Sequence, residues 1–329
     1  MKKKSALIAI LSITSILAGC GGSGNKEESS NINDFSDRPA SKSETSYSDD
    51  DVIGNADLPG NGTPVKPYLI KTKDDLLEFM NNPVTLPDVH YQLENDIEFN
   101  GEWTPVCAGE ESFKGVFNGA GHSIKGLEIT RSSKTQIFYG FIGQMEKGKI
   151  ANLNLEMTID MQVLGKSTSY GIGGAVAYAS NSSVQNVHID YKKFEVVTVQ
   201  NEKSYLYAGG IASYFDSSED DDGMYYTDIR NCSVTGDIIV NLEDATDVVD
   251  AEGGIVAVMD TGYYTGLMAV NNCSFVGDIE GGLYVGGIGA SMSYYTSIVN
   301  CYVESDTLAS FQEDTAYVGG IAGFTKNES

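Results

Sequence analysis

Three tyrosine pairs are placed to act together: Tyr225-Tyr226, Tyr263-Tyr264 and Tyr294-Tyr295, each followed by a threonine. The first and third precede an Asn-Cys dipeptide at the same spacing, and the middle one has three extra residues. Stacked on a rigid surface, such pairs would suit sugar rings or a protein interface, because tyrosine offers a large contact area at low entropic cost. The alternative is that one ring of each pair packs inward and the other decorates a turn. A second constellation is the acidic run Asp216-Ser217-Ser218-Glu219-Asp220-Asp221-Asp222-Gly223. Asp216, Asp220 and Asp222 form a weak candidate for Ca²⁺, which takes dense oxygen ligands. The run has the early spacing of a calcium loop, but Ile229 stands where a bidentate glutamate should be. A solvated acidic loop is the competing reading.

Catalytic chemistry finds little material. The histidines are His90, His122 and His188, and there is no His-Glu-x-x-His. Arg38, Arg131 and Arg230 are the only arginines, few for a lyase of acidic polysaccharides. Asp190, Asp228 and Asp237 are conceivable hydrolase carboxylates, but nothing sets them apart. The sequence reads as no enzyme, with no cofactor. Cys232, Cys273 and Cys301 share one repeat register, and without Cys-x-x-Cys or a nearby histidine they read as a column of small buried hydrophobes. Disulfides or a metal between coils are the alternative, and Cys107 has no evident partner.

The element that must position these residues is a recurring phrase. It reads Tyr207-Ala208-Gly209-Gly210-Ile211-Ala212, then Ala251-Glu252-Gly253-Gly254-Ile255-Val256, Tyr284-Val285-Gly286-Gly287-Ile288-Gly289 and Tyr317-Val318-Gly319-Gly320-Ile321-Ala322. With looser copies, the first glycines fall at 140, 173, 209, 253, 286 and 319, in steps of 33, 36, 44, 33 and 33. A fixed period of this size marks a solenoid. A second phrase trails the first: Ile229-Arg230-Asn231-Cys232-Ser233-Val234, Val270-Asn271-Asn272-Cys273-Ser274-Phe275 and Ile298-Val299-Asn300-Cys301-Tyr302-Val303. Its apolar alternation on both sides of the asparagine is that of two strands and a bend, and asparagine tolerates the left-handed conformation a sharp bend needs. The expected fold is all-β: a right-handed parallel β-helix with strands about 4.8 Å apart, glycine corners and an internal asparagine ladder.

The Gly-Gly-Ile-x-Gly and Ile-x-Asn-Cys-x-Val phrases resemble the GLUG repeat of bacterial surface proteins. The preceding Gly62–Ile70 stretch and Phe113-Lys114-Gly115-Val116-Phe117-Asn118-Gly119-Ala120-Gly121-His122-Ser123-Ile124 are similar to the segment that leads into such repeats. The resemblance spans roughly residues 62 to 323 and implies a parallel β-helix on a secreted or anchored surface protein. Some members carry an immunoglobulin-A-cleaving metallopeptidase domain, whose motif this sequence lacks.

At the start, Lys2, Lys3 and Lys4 precede an apolar run from Ala6 to Gly19, too short to span a bilayer as a helix. Leu17-Ala18-Gly19-Cys20 resembles a bacterial lipobox, which implies cleavage before Cys20 and lipidation of its thiol; the alternative is an ordinary leader with a chance cysteine. The expected domains are a leader over 1–19, a lipidated Cys20 with a disordered acidic tether over 20–61, an N-terminal cap and first coils over 62–135, and repeat coils over 136–329. The tether's reach is roughly 35 Å. Thr72 reads as the N-cap of a short helix running to Met80, placed to cover the first coil. No capping helix follows the last phrase before Ser329, which reads as a coil covered by a partner or as part of a longer protein.

Without the leader the chain has 18 basic and 46 acidic side chains, a net charge of −28, which argues against nucleic acid as a partner. The expected partners are a membrane, through the lipid anchor, and a glycan or protein ligand. The function expected is surface display and adhesion, with a carbohydrate-active enzyme or a structural spacer as alternatives.

Overall fold

The computed structural model describes residues 7–10, 46–48, 51–132, 137–163, 169–198, 204–217, 219–220, 223–224, 226–242, 248–261, 267–293, 295–312 and 316–326. Among them there is one helix; the rest is strand and turn. The strands fall into two six-stranded sheets, one larger sheet and a two-stranded ribbon.

The recurring phrase builds the first two sheets. Its first half supplies Phe138–Tyr139, Ser169–Gly173, Ser204–Gly209, Val248–Gly253, Tyr284–Gly286 and Tyr317–Gly319. All pair in parallel, with Gly173, Gly209, Gly253, Gly286 and Gly319 in one column. Its second half supplies Ile142–Glu146, Val176–Ser180, Ala212–Asp216, Val256–Asp260, Gly289–Met292 and Ala322–Thr325, again all parallel. The repeat read from sequence is therefore the register of the sheets. The long 209-to-253 step is absorbed partly by a small antiparallel excursion, Glu219–Asp220 against Gly223–Met224.

The Gly-Gly corner is tight for two separate reasons. A Cβ on the first glycine would strike the chain's own carbonyl three residues on, 1.9 Å away at Gly209, Gly253 and Gly319. A Cβ on the second would strike the next coil's carbonyl, at 2.1 Å for Gly210 and 2.2 Å for Gly254 and Gly287. Close approach, not left-handed backbone, requires glycine here.

The third sheet runs from Tyr68–Ile70 through the starts of Lys149–Val163 and Ser183–Thr198 to Leu267–Asn271 and Thr296–Val299. Each later strand bends at an asparagine: Asn152, Asn186, Asn231, Asn272 and Asn300 have φ of 54°, 53°, 54°, 55° and 53°. Their carboxamides form a ladder. Asn152 Nδ2 donates to Asn118 Oδ1 at 3.0 Å, Asn186 to Asn152 at 2.8 Å, Asn231 to Asn186 at 3.0 Å and Asn272 to Asn231 at 2.8 Å. The ladder is not internal as expected. Asn186, Asn231, Asn272 and Asn300 are exposed, because a left-handed bend turns the side chain outward while its apolar neighbours face in.

Inside lies one continuous core. Ile150, Val184, Ile229 and Val270 stack in register, each fully buried and each contributing about 1.5–3 kcal/mol by burial. Cys232, Cys273 and Cys301 are buried free thiols in the column that earlier coils fill with Leu153 and Val187. The thiols donate to carbonyls rather than joining: Cys273 Sγ lies 3.6 Å from Ile229 O and Cys301 Sγ 3.6 Å from Val270 O.

The helix Lys73–Asn81 begins as its sequence predicts. Thr72 Oγ1 accepts from Asp75 N, and Asp75 Oδ2 accepts from Thr72 N. Its Phe79 closes the end of the core among Tyr91, Phe117, Phe113 and Phe141, with ring centroids 4.7, 5.0, 5.9 and 6.1 Å away. Packing begins before the expected end of the tether. Leu58 is buried, Ile53 packs on the core, and Ile53 O accepts from Tyr68 Oη. Leu7–Ile10 lies antiparallel to Tyr302–Ser305.

A candidate ligand-binding face

The glycine corner folds the first two sheets toward each other on their outer side. Two columns of side chains then meet. One holds the residue two before the first glycine: Gly171, Tyr207, Ala251, Tyr284 and Tyr317, with Phe138 in register. The other holds the residue five after it: Tyr178, Tyr214, Val258, Ser291 and Phe324. Between them Ala251, Ala257, Val258 and Ala290 form a small buried cluster separate from the main core, with Tyr207, Tyr214 and Tyr284 packed against it.

The rings make a band along the stack. Centroids are 5.7 Å apart for Phe138–Tyr178, 5.8 Å for Tyr178–Tyr214 and 5.7 Å for Tyr207–Tyr214. Past the alanines the band resumes with Tyr284–Tyr317 at 5.4 Å and Tyr284–Phe324 at 5.2 Å. Most of these rings are half-buried, and Tyr317 is 46% exposed. Tyr178 with Tyr214 and Tyr284 with Tyr317 are stacked, and the other pairs are tilted.

Carboxylates border the band. Tyr178 Oη donates to Asp216 Oδ2, and Tyr214 Oη donates to Asp260 Oδ2 at 3.1 Å. Ser293 Oγ donates to Asp260 Oδ1 at 2.8 Å, while Asp216 Oδ1 is buried without a partner. Each tyrosine thus reaches the aspartate of the following coil. Burial, reinforced by Tyr205, Asp260 and Tyr284, pushes the Tyr207 phenol up to about 12. Burial and then the facing aspartate push Tyr178 and Tyr214 up as well. The phenols therefore stay protonated and act as donors. The arrangement offers apolar edges, neutral donors and anionic acceptors in a row, which is the chemistry of recognition.

The residues singled out from sequence are placed differently. Tyr226 begins a strand in register with Leu267, and one residue before the Met268–Thr296 pair the same column reaches Tyr295. The column is Tyr226, Leu267, Tyr295. Tyr295 is 60% exposed with φ 54°. Tyr225, Tyr263, Tyr264 and Tyr294 lie outside the described residues, as does Cys20. Asp216 borders the band, Asp220 pairs by backbone with Gly223, and Asp222 is outside the described residues. Among the described residues no three potential ligands gather into a metal site. Asp190 is paired with Lys192, Asp228 with Arg230, and Asp237 accepts from Asp278 N. His122 faces Asp96 at 3.2 Å in a turn.

Sequence reasoning missed the band itself. Its signal was present, as an aromatic at −2 or +5 from the first glycine in several copies.

Comparison with known proteins gives limited matches. No family model matches the chain. Over 139 residues, 39% of the chain, it is 34% identical to halomucin of Haloquadratum walsbyi, and the match spans 1% of that protein's length. The crystal structure of a candidate immunoglobulin A1 protease from Bacteroides ovatus aligns with TM-score 0.46 at 18% identity, over 81% of this chain and 85% of that one. Among the described residues no helix is long and apolar enough to cross a membrane.

Proposed function

We propose that this chain is a lipid-anchored bacterial surface protein whose sheets close into a right-handed parallel β-helix of GLUG-like coils, and that it binds a glycan or protein across the aromatic band. The band is the observation that carries the reading. It is long, partly open and bordered by Asp216 and Asp260, whose oxygens accept hydrogen bonds. The hydrogen bonds described along it run to carboxylates, Asp216 and Asp260, so a neutral, hydroxyl-rich glycan fits better than an anionic one. Cys20 would hold the protein to the membrane, and the acidic stretch after it would set the domain at a distance. The match to halomucin accords with a surface-associated setting.

The test is a screen of the chain from residue 21 against neutral and acidic glycans and extracellular-matrix proteins. Tyr214→Phe with Asp260→Asn removes a donor–acceptor pair while keeping the ring. Binding that weakens at least several-fold in this variant supports the band. Binding left unchanged overturns it, and reducing-end release from any glycan would replace adhesion by catalysis. Labelled fatty acid incorporated into the full chain and lost in Cys20→Ser checks the anchor.

A further inference from the structure

We propose that Asp250 and Glu252 share a single proton inside the stack, and that this proton latches the segment Ile279–Leu283 to the strand Val248–Gly253 directly behind the aromatic band. Both side chains are fully buried. They take interior positions that the preceding coil fills with Leu206 and Ala208, and Glu252 pairs in register with Val285 of the next.

Each carboxyl has one oxygen held and one orphaned. Leu283 N donates to Asp250 Oδ1 at 2.7 Å and Gly282 N to Glu252 Oε2 at 3.0 Å. Asp250 Oδ2 and Glu252 Oε1 are buried with no partner. Two carboxylates cannot hydrogen-bond each other, but an acid and a carboxylate can, so one proton between the pair satisfies both orphans. No electron or second reactant is involved. A metal would need further ligands, and no third acid, histidine or cysteine gathers here among the described residues.

The surroundings are shaped for the pair. A Cβ on Gly282 would lie 1.8 Å from Asp250 Oδ2 and one on Gly281 would lie 2.1 Å from Glu252 Oε2. The register that pairs Val196 with Val240, carried one residue past Ile239–Glu280, sets Gly281 in the same column. The buried valines give way to glycine where Glu252 reaches across. The elements packed against the pair present Leu206, Ala208, Val285, Gly281, Gly282 and Ser310, whose Oγ donates to Gly282 O. Among the described residues, the ionisable side chains acting on each carboxyl are each other.

Burial pushes Asp250 up to about 6, and burial with the charge of Asp250 pushes Glu252 well above the usual range. A carboxyl raised in the folded state stabilises it fully below the unfolded value of about 4. That contribution is lost as pH rises through the folded value. Asp250 gives up its proton first, which leaves one proton shared with Glu252, so the latch loosens only as pH rises through the higher folded value of Glu252. Ala251, between the two acids, belongs to the band's buried cluster, and Leu283 directly precedes Tyr284 of the band. Control of binding by this latch rests on the reading of the band above; the proton is tested without any ligand.

The experiment is infrared spectroscopy and amide exchange on the full chain from about pH 4 to about pH 9. A buried carboxylic-acid carbonyl stretch persisting at pH 6 is expected in the parent, and absent from Asp250→Asn/Glu252→Gln. Protection of the Gly282 and Leu283 amides is expected to fall about tenfold or more from about pH 6 to about pH 9 in the parent. It should stay level in Asp250→Asn, whose amide donates to Glu252 without a shared proton. A parent with no protonated carboxyl at pH 6 overturns the proposal, a reading that stands even if the double variant does not fold. So does an Asp250→Asn variant that loses protection as the parent does. If both latch results hold while no glycan or protein binds, the band reading fails and the latch remains.

Discussion

Replacing Asn231 by alanine separates the two roles of the bend. Asn231 donates to Asn186 at 3.0 Å and accepts from Asn272 at 2.8 Å, and its φ is 54°. Losing both bonds costs about 1–2 kcal/mol, toward the lower end per bond because the ladder faces water. Forcing alanine into the left-handed region adds about 1–2 kcal/mol. Asn231→Ala should therefore cost about 2–4 kcal/mol. Asn231→Gly keeps the backbone at no steric cost and should lose about 1–2 kcal/mol. Equilibrium urea denaturation followed by circular dichroism, with amide exchange at Asn272 as the local readout, measures both. Asn231→Gly as damaging as Asn231→Ala would refute the backbone half of the reasoning. An Asn231→Ala variant as stable as the parent would refute all of it.

Gly254→Ala should destabilise by about 2–3 kcal/mol, because its Cβ meets Gly287 O at 2.2 Å and Phe275 at 2.4 Å, whereas Gly320→Ala meets nothing within 4 Å and should be near neutral by the same denaturation assay. Cys273→Val should change stability by less than about 1.5 kcal/mol, since Val187 fills the same column in an earlier coil. The thiols of Cys273 and Cys301 are held up by hydrogen bonding within the column and by burial, so thiol-reactive dye should label neither at pH 8 until denaturant is added. Unfolding free energy should fall as pH rises from about 4 through 6, and Glu252→Gln should flatten that slope in urea titrations at fixed pH.

Much of the scaffold was legible because it depends on local chemistry repeated. Thr72 reads as a helix N-cap from its own neighbourhood, and asparagine before a buried cysteine reads as a left-handed bend. The glycine pair was legible as a corner, but the clash that forbids a Cβ at Gly210 comes from Gly254 O, a neighbour 44 residues away in sequence. The ladder was expected inside because its residues alternate with core residues; the bend itself reverses which way a side chain points. Of the tyrosine pairs, Tyr226 and Tyr295 share a column whose middle place Leu267 fills, because register follows backbone pairing, and the other four tyrosines lie outside the described residues. Asp250 and Glu252 were hidden by their type. An acid in a strand reads as solvent-facing, and only the glycines at 281 and 282 in the next coil make an interior place for them.

The asparagine ladder also has a direction. In all four bonds the amide of the later coil donates to the carbonyl of the earlier one. The carboxamide dipoles therefore add along the stack, each bond polarising the next, as peptide dipoles do along an α-helix. The positive end lies toward Asn118 and the negative end toward Asn300. Tyrosine donates the other way, from Tyr178 and Tyr214 into later coils. The two faces of the stack thus carry opposed electrical polarities, and an ion or polar group approaching either end would meet a field that differs from one side to the other.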